Sequence, residues 1–418
     1  MITREKFAGL RTDRTRLLQR IFALAEIAPI DGGGNCRLAL TDEDRDGRDL
    51  VVSWMKDLGL ELGIDSIGNV VGTWNVGSGL PVMTGSHIDT VRTGGKYDGN
   101  YGVLAGLEVI ESCQDAGYLP SRPLAVGFFT DEEGARFAPD MLGSLVYVGG
   151  LAQEVALDTQ SIDGVRLGDE LSRIGYAGPL PCPGPAPHAF VELHIEQGPV
   201  LERNSIGIGA VTGVQGISWQ EITITGQSNH AGTTPMSLRH DPAYVAAEIA
   251  VFVRKLALRF ADNQVCTAGK IDLFPNLINV VPARATITLD IRNTDESMLQ
   301  KAESEISRFV DEISSAEGVS IKTRTLARFE PVVFDAAVVE CVEHIANELG
   351  NSVQRMPSGA GHDAQMLSRI CPSGMIFVPS VKGISHNPAE FTSEQDLHAG
   401  ADVLLQVMLT LAETEFAT

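Results

Sequence analysis

Short apolar runs separated by helix-length segments constrain this chain more than any other feature. Residues 81–84 read as a buried strand, 101–116 as a helix stopped by Gly117, and 123–129 as a second strand. A strand–helix–strand order needs a crossover, and so predicts a mostly parallel sheet with helices on its faces. Upstream, 5–26 and 41–58 have helical spacing, the second through Leu50, Val51, Trp54 and Met55, before Val70-Val71. The Pro-rich stretch 178–185 is a loop. The pattern changes near Val214. Residues 217–225 alternate as a strand, 241–258 form a helix, 265–273 and 285–292 strands, 296–313 a helix, and 319–326 a final strand. That β-α-β-β-α-β order suggests a ferredoxin-like module. The expectation is an α/β catalytic domain split into residues 1–213 and 329–418, with the module inserted over 214–328.

Composition narrows the class. With 418 residues, 44% hydrophobic and 21% charged, the chain has the length of two or three domains and can bury a sizeable core. A formal net charge of −22 and the lack of a basic stripe argue against a nucleic-acid partner, though not against a small anion held by one Arg. No run of about 20 apolar residues spans a membrane, and the opening Met-Ile-Thr-Arg-Glu-Lys-Phe is charged where a leader needs an apolar core. Cys36, Cys113, Cys182, Cys266, Cys341 and Cys371 stand singly, without a Cys-x-x-Cys pair. This favours buried, reduced thiols in a cytoplasmic enzyme.

Chemistry-bearing residues gather where strands end. In Gly85-Ser86-His87-Ile88-Asp89, His87 and Asp89 share a face in an extended backbone. That suits a ligand imidazole beside an orienting carboxylate, or a structural His. Asp98, in Lys96-Tyr97-Asp98-Gly99-Asn100, either caps the following helix or bridges two cations through its two oxygens. Strand 123–129 ends in Asp131-Glu132-Glu133. Three adjacent acids there cost desolvation and repulsion unless positive charge is near or the turn is solvated. Glu192, His194 and Glu196 alternate onto one face, and His386 sits in a loop before a helix with Ser393 and Asp396 as a capping pair. Together His87, Asp98, Glu133, His194 and His386 offer three imidazoles and two carboxylates, a set suited to two zinc-like ions sharing one carboxylate.

The five segments, in this order, resemble the M20 family of dinuclear metallohydrolases. His-Ile-Glu-Gln-Gly-Pro at 194–199 and Ser-Gly-Ala-Gly-His-Asp-Ala at 358–364 look like its hydantoinase/carbamoylase branch, and the likeness runs from about Thr41 to Phe391. That branch contains N-carbamoyl-L-amino-acid hydrolases, β-ureidopropionases and allantoate amidohydrolases. Many M20 peptidases carry a carboxylate at the position of His194. The resemblance implies two divalent ions per subunit (Zn, or Mn, Co or Ni). His87, Asp98 and His194 would hold one; Asp98, Glu133 and His386 would hold the other; Asp89 would steady His87. Glu132 matches the general base. Gln197, Asn279, Arg292 and Gly361 match substrate contacts, and His230 matches a polarising His supplied by the small domain.

Read by themselves, these last residues are ambiguous. Arg292 ends a strand with a fork suited to a carboxylate, or is a surface Arg on an edge strand. His230 donates to an oxyanion or caps its Gly- and Thr-rich loop. Asn279, Gln197 and Gly361 are otherwise turn residues. His188, His240, His344, His362 and His398 are taken as structural, His362 standing inside a matching motif. The activity implied is hydrolysis of a ureido group, R-NH-CO-NH2, by a metal-bridged water that gives its proton to Glu132. His230 and a metal would stabilise the oxyanion, and Arg292 would hold the substrate carboxylate. The lid module is expected to make a homodimer, in which, as the resemblance implies, His230 reaches the neighbouring subunit's metals. Allantoate hydrolysis, an M20 peptidase or aminoacylase, and a silent binding protein are the alternatives.

Overall fold

The computed structural model describes residues 6–261 and 263–416; the charged opening 1–5, where the helix expected over 5–26 begins, lies outside the described residues. The chain divides into two compact units, Met1–Gly213 with Val333–Thr418, and Val214–Val332. The second ends beyond the expected 328, because its last strand is Ser320–Phe329.

In the first unit, strands Val82–His87, Leu124–Phe129, Ala189–Ile195 and Ser373–Val378 run parallel at the centre of a nine-stranded sheet. Every residue of these four is buried, which is why the first two read as continuous runs rather than alternating ones. Antiparallel strands flank them, Glu61–Ile64 and Val70–Trp74 on one side and Ile208–Val214 on the other. Helix Arg14–Ala25 starts at Asp13, whose side chain accepts the amide of Arg16, so the expected helix is shorter than its pattern. Helix Asp42–Asp57 starts where Thr41 accepts the amide of Asp44; acids in its first turn and Lys56 in its last complement the helix dipole.

The parallel register fixes the site. His87 lies opposite Phe129, so the acids after Phe129 emerge beside His87, and His194 lies opposite Phe377. Side chains at the carboxyl ends of adjacent parallel strands converge in one crevice.

The second unit has the ferredoxin-like order expected. Strands Ser320–Phe329, Gly216–Thr225, Arg284–Asn293 and Val265–Phe274 lie side by side, all antiparallel. Helices Pro242–Phe260 and Glu296–Glu317 bury Val245, Ile249, Leu299 and Ile306 against Ile222, Ile287 and Ile291. Each such burial contributes about 1.5–3 kcal/mol. The strand carrying Arg292 is internal, which corrects the edge-strand alternative; the edges are Val265–Phe274 and Ser320–Phe329. Among the described residues no helix is long and apolar enough to cross a membrane.

Candidate metal centre and catalytic residues

His87 ends its strand, and its Nδ1 lies 2.9 Å from the carbonyl oxygen of Asp89. A carbonyl only accepts, so Nδ1 carries the proton and Nε2 turns its lone pair to the crevice. His194 repeats this device, with Nδ1 2.8 Å from the Ile195 carbonyl and Nε2 accepting the amide of Gly99 at 3.1 Å. Between them stands Asp98. Its Oδ1 is 3.7 Å from His87 Nε2 and 3.2 Å from His194 Nε2, while Oδ2 is 3.6 Å from His386 Nε2. His386 Nε2 is in turn 3.2 Å from Glu133 Oε2.

Two triads follow, His87–Asp98–His194 and Asp98–Glu133–His386, each with its ligand atoms within 4.8 Å of one another. Imidazole nitrogens and carboxylates are the donors that zinc, manganese, cobalt and nickel accept, and a shared carboxylate fits two ions side by side. The capping alternative for Asp98 fails, because helix Asn100–Asp115 begins at Gly99 without a side-chain cap. Gly99 has φ 65°, and a Cβ there would lie 2.4 Å from the His87 ring. Only glycine lets this turn press on a ligand imidazole.

The three acids diverge. Asp131, at φ 55°, turns its carboxylate back to the amide of Phe137. Glu132 brings Oε2 to 3.4 Å from His87 Nε2, and Glu133 reaches His386. The turn is held by Asp89, whose carboxylate accepts the amides of Glu132 and Glu133, each at 3.3 Å. This corrects the expected role of Asp89. Its carboxylate is 4.0 Å from His87 Nδ1, beyond hydrogen bonding, and its carbonyl orients the ring instead.

Burial opposes the cationic form of His87, but Glu132, Asp98, Asp89 and Glu133 outweigh it and carry the ring well above the usual histidine range. Burial would raise Asp98, yet the imidazoles of His194 and His87 beside it hold it well below the usual carboxylate range. Burial lifts Glu132 well above that range, with His87 opposing and Asp363 and Glu133 adding repulsion. The hydrogen bond with Glu133 raises His386 to about 9 despite partial burial. Its side chain is 50% exposed against 5% for Asp98, so His386 marks the open side.

Gln197 donates from Nε2 to Asp98 Oδ2 at 2.8 Å, while its buried Oε1 has no hydrogen-bond partner. Half of this expected substrate contact is therefore committed to Asp98, and the other half is an acceptor. Gly361 precedes helix Asp363–Leu367, where a Cβ would meet Met141 at 2.7 Å. His362 packs edge-on against His194, with centroids 4.6 Å apart, and forms a third cluster with Glu192 and His194. Of the three residues expected on one face, only His194 reaches Asp98. Glu192 takes the Ser86 hydroxyl and the Ala364 amide, and Glu196 takes the amides of Val200 and Leu201. Ser385 and Glu390, whose hydrogen bonds reach Asp98, carried no sequence signal beyond their place near His386.

In the second unit, His230 pairs with Val280 and the Ala231 amide donates to the Asn279 carbonyl at 2.9 Å, bringing His230 and Asn279 together. The Gly232 amide donates to His230 Nδ1 at 3.1 Å, so the exposed ring presents an Nε2–H donor. Arg292 spends its Nε and Nη2 edge on Asp290, at 2.9 and 2.8 Å. Period-two spacing on one strand places that acid beside it. His188, His240 and His398 meet backbone carbonyls, and His344 pairs with Glu348.

A crevice of this kind, with imidazoles and carboxylates at the ends of parallel strands, is compatible with the divalent-metal site of a hydrolase, and the comparisons give the family. The model of peptidase family M20/M25/M40 matches residues 83–410. An N-carbamoyl-L-amino-acid amidohydrolase from Rhizobium meliloti is 40% identical over 96% of this chain and 97% of its own. An allantoate amidohydrolase from Bacillus subtilis is 36% identical over 93% and 95%. The crystal structure of a hydantoinase/carbamoylase family amidase from Burkholderia multivorans superposes with a TM-score of 0.93 at 43% identity, covering 97% of this chain and 99% of that one. The chain belongs to the M20 family, in its hydantoinase/carbamoylase branch. It is an amidohydrolase of that family.

Proposed function

We propose that the chain hydrolyses the ureido C–N bond of an N-carbamoyl-L-amino acid, or of N-carbamoyl-β-alanine, to the amino acid, carbon dioxide and ammonia. The observation that carries this is the place of Glu132, a buried carboxylate 3.4 Å from His87 Nε2 that belongs to neither ligand triad. His87, Asp98 and His194 would hold one divalent ion, and Asp98, Glu133 and His386 a second. Bound there, the ions would supply Lewis-acid charge and lower the pKa of a water.

Glu132 takes a proton from the attacking water at Oε2 and returns it to the leaving nitrogen. Gln197 stays fixed on Asp98 by Nε2, so its unpartnered Oε1 faces a ureido N–H. Gly361 borders the site. His230 gives its Nε2–H to the developing oxyanion, beside Asn279, and Arg292 holds the substrate carboxylate.

The helix Pro242–Phe260 leaves Tyr244, Val251 and Leu258 exposed at seven-residue spacing, and it packs on the open edge strand Val265–Phe274. An apolar stripe beside an open edge fits a second copy of the chain across a two-fold axis. In this homodimer His230 of one subunit serves the metal set of the other. Cys36, Cys113, Cys182, Cys266 and Cys371 are free thiols, in keeping with a cytoplasmic enzyme.

Allantoate is the second reading, favoured by the Bacillus subtilis relative. Ammonia release from metal-loaded protein, measured on N-carbamoyl-amino acids, N-carbamoyl-β-alanine and allantoate, with free amino acid release from dipeptides and N-acetyl-amino acids as the control, separates the readings. Turnover of N-carbamoyl-amino acids above all others is the expected outcome.

A further inference from the structure

Glu390 is 6% exposed and spends its carboxylate on two loops. Oε1 accepts the backbone amides of Tyr97 at 2.9 Å and Asp98 at 3.2 Å. Oε2 accepts the Ser385 hydroxyl at 3.1 Å, and that same hydroxyl lies 2.7 Å from Asp98 Oδ2. The space for this is reserved by Gly95, where a Cβ would fall 2.0 Å from Oε1. On the other side of the contact, His386 sits at φ 53°, a left-handed conformation that a non-glycine residue keeps only when its surroundings hold it. The Glu390 amide closes that turn on the Asn387 carbonyl at 2.9 Å.

We propose that Glu390 is a positioning residue that sets the spacing between the two ligand triads, an inference that rests on the two-ion reading above. The triads differ in what carries them. His87 ends one sheet strand and His194 lies within another, so the first triad has a rigid base. His386 stands on a turn outside the sheet, and reaches Asp98 only if the two loops keep their relative position. Glu390 is the brace between them. It holds the Asp98 backbone directly and the Asp98 side chain through Ser385, the residue before His386. Its loss leaves two buried amides without an acceptor and releases the turn that carries His386, so the second triad loosens while the first keeps its strands.

The test is metal stoichiometry and affinity, by equilibrium dialysis with elemental analysis, on the full-length wild type and Glu390→Ala, Glu390→Gln and Ser385→Ala. Circular dichroism and thermal melts of the metal-free proteins check folding. Wild type should hold two ions. Glu390→Ala should bind the ion held with His386 about 10–100-fold more weakly, the usual cost of losing a group that orients a ligand, and the ion held by His87 and His194 less so, since the two triads share only Asp98. Glu390→Gln should behave almost as wild type, because its amide oxygen still accepts both backbone N–H groups and its NH2 meets the Ser385 oxygen. Ser385→Ala should weaken the same ion without touching the backbone amides, and decides the matter should Glu390→Ala not fold. Two ions held at wild-type affinity in both Glu390→Ala and Ser385→Ala, or equal weakening of both ions, would overturn the proposal. A wild type that holds only one ion would instead refute the two-ion reading, and this inference with it.

Discussion

The carboxylate of Asp89 receives the backbone amides of both Glu132 and Glu133, while the carbonyl of the same residue orients His87. One residue thus ties the end of one parallel strand to the turn after its neighbour. In Asp89→Asn only one oxygen remains to accept, and the side-chain NH2 faces a backbone N–H. Metal affinity should fall about 10–100-fold, with turnover falling too, while His87 keeps its carbonyl partner. Dialysis and steady-state kinetics check this; an unchanged metal content and rate would count against it.

Glu132 and Glu133 are adjacent in sequence but reach different imidazoles. Glu132→Gln should retain both ions and lose roughly 10²–10⁴ of turnover, the worth of a general base. Glu133→Gln should lose the ion held with His386. Matching metal contents and matching rates in the two variants would show that the roles are not separate.

Two central strands, Val82–His87 and Leu124–Phe129, were legible because they are buried on both faces, and the module was legible because its alternation and helical spacing are regular; Ala189–Ile195 read as alternating, and Ser373–Val378 carried no separate reading. The residues of both clusters stood in recognisable motifs, each at or near a strand end or turn. What stayed hidden depends on contacts between distant segments. That Asp89 uses its carbonyl for His87 and its carboxylate for another turn follows from strand register, which no local spacing contains. Glu390 binds the amide of a residue 292 positions earlier. Gln197 looked like a turn residue, and its hold on Asp98 depends on a left-handed backbone, φ 58°, unusual for its type.

Arg292 offers a second specificity test. Arg292→Lys keeps the charge but loses the planar fork that Asp290 now grips. KM for a carboxylate-bearing ureido substrate should rise about tenfold or more, the scale of one charge-assisted hydrogen bond, and KM for the matching amide should change little. Equal effects on both substrates would remove Arg292 from carboxylate recognition.

In the metal-free chain the site histidines hold protons more tightly than free imidazole, His87 strongly and His386 up to about 9. A raised folded-state pKa contributes stability that is complete below about 6.5, the unfolded value, and is lost as pH rises through the folded one. The chelated protein should therefore lose melting temperature between pH about 6.5 and 9. The metal-loaded protein should lack that loss, and loading should release protons into weak buffer. A pH-independent melt of the chelated protein in this window would contradict it.

The proposed homodimer predicts complementation between His230→Ala and Glu132→Gln. Each variant alone should be nearly inactive. Refolded together at equal ratio, about half the dimers are hybrids and half of the hybrid sites are complete, so roughly a quarter of wild-type activity should return. Differently tagged chains establish that hybrids form. Proven hybrids without activity would place His230 in its own subunit's site or in none.

The central claim is that this centre hydrolyses a ureido bond with Glu132 as base. The direct measurement is the time course of ammonia and free amino acid from an N-carbamoyl-L-amino acid, with metal-loaded wild type beside metal-loaded Glu132→Gln. The account predicts equimolar ammonia and amino acid from wild type, and almost none from the variant at the same metal content. No ammonia from wild type on any ureido substrate, together with cleavage of a dipeptide or an N-acetyl-amino acid, would contradict it.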